Sequence, residues 1–92
     1  METQVLDNPE VQIKTPTGTH KLILHNDDFN ELQWVINCLM DICKHSMEQA
    51  EQCAILVHHN GKCDIKLGDE ETLNKMKLGL LIRQLSVTLE KN

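Results

Sequence analysis

Apolar positions along this chain alternate between short runs, helical spacing and strict every-second-residue patterns, and the changes of period mark its elements. "HKLILH", residues 20–25, places Leu22, Ile23 and Leu24 side by side between polar ends, the bulk of a short, well-buried strand. From about Glu31 to Lys44, the residues Leu32, Val35, Ile36, Leu39, Met40, Ile42 and Cys43 cover one broad helical face, as a helix lying on a sheet requires. A second helix follows, with Ala50, Cys53, Ala54 and Val57 on one stripe, and stops at Asn60-Gly61, where glycine takes the left-handed terminating conformation. "KCDIKL", 62–67, alternates, which predicts a half-exposed strand with Cys63, Ile65 and Leu67 inward. Leu73, Met76, Leu80 and Leu81 mark a third helix, weakened in its middle by Gly79, and "QLSVTLE", 84–90, alternates again as a closing strand. The order β-α-α-β-α-β predicts an α+β sandwich, with a small three-stranded antiparallel sheet and three helices on one side.

The boundaries carry their own signals. Asn30 with Gln33, and Ser46 with Gln49, fit capping boxes, and Phe29 with Trp34 fits a hydrophobic staple around the first. Asp69 is placed to cap the third helix, and Glu70 and Glu71 suit its positive end. Residues 1–19 contain Pro9, Pro16 and Gly18 and read as a loose arm, so one domain is expected over 20–92.

Composition then removes several function classes. The 92 residues suffice for one modest core, which has Phe29 and Trp34 as its only aromatics and is therefore mainly aliphatic. A formal net charge of −5 leaves no basic stripe for phosphates, so no nucleic acid is expected, and the balance suits a cationic ligand. No apolar run reaches the length of a membrane span, and the acidic, polar start lacks the regions of a signal peptide; a monomeric cytoplasmic protein is expected. Cys38, Cys43, Cys53 and Cys63 match neither a CxxC pair nor a common disulfide frame, and read as free, half-buried thiols. They offer no second pair to complete a tetrahedral site, so no metal and no cofactor is expected. No serine elbow or cysteine–histidine signature supports nucleophilic catalysis, and the chain does not read as an enzyme.

What remains after packing is assigned is "HNDD", where the first strand meets the first helix, and "HH" in the last turn of the second helix. Each has a structural explanation: Asn and Asp are ordinary turn residues, and a histidine gains from the dipole at a helix C-terminus. Each also has a functional one. Adjacent carboxylates and an amide beside an imidazole make an acceptor-rich corner that a cation would fill.

Two stretches resemble one family. "LILHNDDFNELQWV" and, one helix later, "AILVHHNGK" are similar to the ClpS-type adaptor proteins of the Clp ATP-dependent protease, which carry an Asn-Asp-Asp-aromatic turn after the first strand and a Val-His pair before Gly-Lys at the end of the second helix. The resemblance runs from about Lys21 to Lys62 and returns in "LSVTLEKN". It implies an adaptor that recognises proteins whose first residue is bulky and apolar and hands them to an AAA+ unfoldase. Asn26, Asp27 and His58 would surround the substrate's α-ammonium, and Leu32, Val35, Ala54, Val57 and Leu85 would wall a pocket for its first side chain, with Asp28 and Asn30 at the rim.

Such a site makes chemical sense. An α-ammonium has three donors and a pKa near ~8, so an amide oxygen, a carboxylate and a neutral imidazole suit it. Each charged hydrogen bond contributes roughly 1.5–3 kcal/mol, and burial of the side chain about as much, which leads to an expected dissociation constant of about a micromolar. The resemblance also implies docking on the unfoldase's N-terminal domain through Glu70 or Glu71 with Lys75, which as a plain charge run equally reads as helix capping. Three departures from the family stand out. Ala54 and Leu32 replace methionines common at those places, which implies a wider pocket that admits Ile and Val, and Asn30-Glu31 replaces a common Thr-Pro. A domain of the same fold without terminus binding is the alternative.

Overall fold

The computed structural model describes residues 19–92. The expected arm over 1–19 lies, except for Thr19, outside the described residues. The elements are β1 (His20–His25), α1 (Leu32–Ile42), α2 (Met47–Asn60), β2 (Lys62–Gly68), α3 (Glu70–Ile82) and β3 (Ser86–Lys91). The three strands form one antiparallel sheet in the order β2-β1-β3. The predicted α+β architecture is therefore the observed one.

The run Leu22-Ile23-Leu24 takes the central strand because only that position shields both faces of a sheet so small. All three side chains are at most 1% exposed. Leu22 and Leu24 join Ile36, Leu39, Ala50, Ala54, Val57, Leu73 and Leu80 in one core between sheet and helices. Gly79, a weak helix former, has a packing reason: a Cβ there would meet Ile42 Cδ1 at 3.2 Å, so its absence lets α3 close on α1. Arg83 ties the same two helices by pairing with the Asp41 carboxylate, while Trp34 Nε1 donates to the Arg83 carbonyl at 3.2 Å.

Some local expectations fail for physical reasons. Glu31, not Asn30, is the N-cap of α1, and its side chain makes no capping bond, because Asn30 is engaged elsewhere. Phe29 is 95% exposed and cannot staple against Trp34. The helix ends at Ile42 rather than Lys44, which turns to a positive φ of 60°. Leu67 is 58% exposed instead of inward, and Leu81 is also largely exposed, at 41%. β2 carries an irregularity: Leu22 pairs with Lys66 but Ile23 with Asp64, so Ile65 is an extra residue. The Ile65 carbonyl receives a hydrogen bond from Nε2 of buried His45 at 2.8 Å. Ser46 and Asp69 do cap α2 and α3, accepting from the amides of Gln49 and Thr72.

Candidate functional site

The loop after β1 is organised by one carboxylate. Asp27 Oδ1 accepts from the amides of Phe29 and Asn30 at 2.9 and 2.8 Å, and Oδ2 accepts from Asn30 Nδ2 at 2.9 Å. Asn30 Nδ2 also reaches the Gln84 carbonyl at 2.9 Å, which fixes the loop to the segment before β3. Partial burial pushes the Asp27 carboxyl up, but the hydrogen bonds from Asn30 and Phe29 outweigh it and hold the group below the usual carboxylate range. Asp27 is therefore ionised, and its remaining lone-pair capacity faces outward.

The second half comes from the end of α2. Gly61 closes the helix at φ 91°, with its amide bonded to the Val57 carbonyl, and this left-handed turn sends the chain into β2. His25 pairs with Lys62 in the ladder, and the next rung is the Asn26 amide donating to the Gly61 carbonyl at 2.9 Å. Asn26 and the last turn of α2 are thus fixed side by side by sheet register.

Between them lies a cavity of about 340 Å³. β1 and its loop contribute Leu24, His25, Asn26, Asp27, Asp28 and Asn30 to the lining. The helices contribute Leu32 and Val35 from α1, and Ala54, Ile55, Val57, His58 and His59 from α2. One end is apolar and the other presents acceptors. Among the described residues, the side chains of Asn26 and Asp28 make no hydrogen bond, and His58 makes only an edge-on ring contact with His59, at 5.5 Å between centroids. Chemically, such a recess accepts a cationic donor and a neighbouring apolar group together.

All three residues expected to surround an ammonium line this cavity, as do the rim pair Asp28 and Asn30 and four of the five expected wall residues. The fifth, Leu85, does not: it is 3% exposed and part of the core, where its amide bonds to the Leu80 carbonyl and draws it under α3. Sequence reasoning missed Leu24, His25, Ile55 and His59. For the last two a signal existed, since Ile55 and His59 repeat one residue later the four-residue spacing of Ala54 and His58. Glu70, Glu71 and Lys75 lie on the exposed side of α3, outside the cavity, with Lys75 3.9 Å from Glu71.

The four thiols are free. Burial pushes Cys43 up to about 11, and burial with the neighbouring Cys53 pushes Cys63 up to about 12. No cluster of metal-ligating side chains occurs among the described residues.

Comparison with known proteins fits this geometry. The profile of the family described as "ATP-dependent Clp protease adaptor protein ClpS" matches residues 15–84, well over half of the chain. The chain belongs to the ClpS family. A ClpS adapter protein from Campylobacter jejuni subsp. doylei is 35% identical over 79 residues, covering 84% of this chain and 78% of the relative. One from Erwinia tasmaniensis is 34% identical over 59 residues, covering 64% of this chain. Of that Erwinia ClpS the chain spans a little over half the length, 56%. The ClpS2 of Agrobacterium tumefaciens, solved bound to L-phenylalaninamide, superposes with a TM-score of 0.74 at 18% identity, over 79% of this chain and 95% of that one. This likeness concerns the ClpS fold. The family is described as one of adaptors, not enzymes. Among the described residues, no helix of this ClpS chain is long and apolar enough to cross a membrane.

Proposed function

We propose that this protein is a cytoplasmic adaptor that holds the free N-terminus of proteins beginning with a bulky apolar residue and delivers them to a Clp AAA+ unfoldase. The observation that carries the reading is the two-ended recess. Leu32, Val35, Ala54 and Val57 line it together with Asn26, Asp27 and His58. An α-ammonium and its own side chain are separated by one carbon, so a ligand for both ends must be a chain terminus. Internal peptide bonds and acetylated termini supply too few donors and leave Asn26 and His58 unpaired on binding. At about 340 Å³ the recess is at the small end of ligand cavities, the size for one residue rather than a longer segment. L-phenylalaninamide, bound by the Agrobacterium relative, has this chemistry: a free α-amine, a bulky apolar side chain and a carboxamide where the next residue would begin.

Docking on the unfoldase's N-terminal domain is assigned to the exposed side of α3, where Glu70, Glu71 and Lys75 lie away from the recess. That leaves the mouth open while the adaptor is docked. Isothermal titration with Leu- and Phe-initiated peptides, against Nα-acetylated copies, tests the site. Binding around a micromolar that acetylation abolishes is expected. Equal behaviour of the free and acetylated peptides would leave a ClpS-fold interaction domain without terminus recognition.

A further inference from the structure

Three imidazoles border the recess, not one. His58 and His59 come from the last turn of α2, and His25 from the end of β1. We propose that His25 and His59 act with His58 as a multi-proton release device, so that mild acid expels the bound chain terminus by charging several sides of the recess at once. The inference rests on the recess holding an α-ammonium, as proposed above.

The charge inventory around these rings is one-sided. The loop supplies the carboxylates of Asp27 and Asp28, while the lining residues of α1, Leu32 and Val35, are not titratable. β2 places Lys62 opposite His25 in the ladder, a fixed cation that adds to any charge gained there. β3 places Thr88 against His25, with Oγ1 2.8 Å from Nε2. A hydroxyl accepts as readily as it donates, so that bond persists when the ring is protonated, and charging His25 costs no partner. His59, exposed and edge-on to His58, is likewise free to charge.

Neutral rings tolerate an ammonium in the recess; charged ones repel it, and His58 in addition loses the lone pair that receives it. Imidazoles change charge between pH 5 and 8. In that range both loop carboxylates stay ionised, since carboxyls titrate around pH 4. A bound ammonium must therefore drive protons off the rings, and affinity falls as pH falls. A single acceptor histidine releases at most one proton per peptide; three facing rings release more.

The count is directly measurable. An unlabelled Leu-initiated peptide is titrated calorimetrically at about pH 6, in two buffers of different ionisation enthalpy, a pH at which the peptide's own amine is already protonated. The expected result is release of more than one proton per peptide, roughly 1.5, by linkage. His59→Asn, at an exposed helix end that the core does not need, lowers the count, and adding His25→Asn lowers it to one or below. Each variant is judged on its own proton count, whatever its affinity. Release of one proton or fewer by the unaltered protein, or a count that neither substitution changes, overturns the inference. Identical binding of the peptide and its acetylated copy at pH 7.5 would instead bring down the reading on which it rests.

Discussion

Replacing Asp27 by asparagine separates the two duties of this residue, because the swap keeps the shape and removes the charge. Asn at this position retains an Oδ1 that accepts from the amides of Phe29 and Asn30. Its Nδ2 would meet Asn30 Nδ2, donor against donor, and that one interaction is lost. Asn30 keeps its bond to the Gln84 carbonyl, so the loop stays attached. One hydrogen bond is worth about 1 kcal/mol, which lowers the melting temperature of a domain this size by roughly 4–8 °C. Loss of the charge acts on the ligand instead. A carboxylate about 4 Å from an ammonium contributes ~1 kcal/mol in water and ~4 at the effective dielectric of a protein surface. Asp27 is half-buried, so an intermediate ~2 kcal/mol applies, equivalent to a roughly 30-fold weaker dissociation constant. Calorimetric titration with a Leu-initiated peptide, alongside a thermal melt, reads both quantities. A melt that drops as expected while affinity changes less than about threefold would show Asp27 to be loop scaffold alone, and would refute the electrostatic argument.

Gly61→Ala forces a Cβ onto a residue at φ 91° with nothing within 4 Å, so the cost is backbone strain of roughly 1–2 kcal/mol. Because the Gly61 carbonyl holds the Asn26 amide, peptide affinity and urea midpoint should both fall. At Ala54, 3% exposed on the cavity wall, methionine should cost Ile- and Val-initiated peptides about 1–3 kcal/mol by overpacking while sparing unbranched first residues, measured by competition binding. The unaltered protein should bind Ile, Val and Leu termini alike. The lowered pKa of Asp27 fixes a sign: its stabilisation is complete above the model value of 3.8 and is lost as pH falls through the lower folded value. In urea titrations, the difference between the native chain and Asp27→Asn should therefore persist at pH 5 and collapse below 3.8. His45→Ala strands the buried Ile65 carbonyl at the irregularity of β2 and should cost about 1–3 kcal/mol of unfolding free energy.

Periodicity was a sound guide wherever burial decides conformation. The unbroken Leu22-Ile23-Leu24 marks the central strand, and the stripe through Ala54 and Val57 marks the helix that backs the recess. It misled where a polar side chain took over. Asn30 followed by Gln33 has the form of a cap, but the Asp27 carboxylate captures the Phe29 and Asn30 amides first, and the Asn30 side chain turns away to Gln84. Leu67 alternates correctly by number, yet the extra residue at Ile65 breaks the ladder before it. His25 belongs to the recess through its place at the end of a strand, which neither hydrophobicity nor the family resemblance marks. Leu85 was expected in the recess wall but is pulled into the core by the turn after α3, a path no local pattern encodes.

The recess opens beyond the end of the middle strand, and the two neighbours of that strand already occupy its hydrogen bonds on both sides. A chain whose tip is lodged there finds no backbone ladder to join alongside that strand. Beyond its first residue it hangs as an untethered leash, gripped at one point and otherwise loose for a motor to seize.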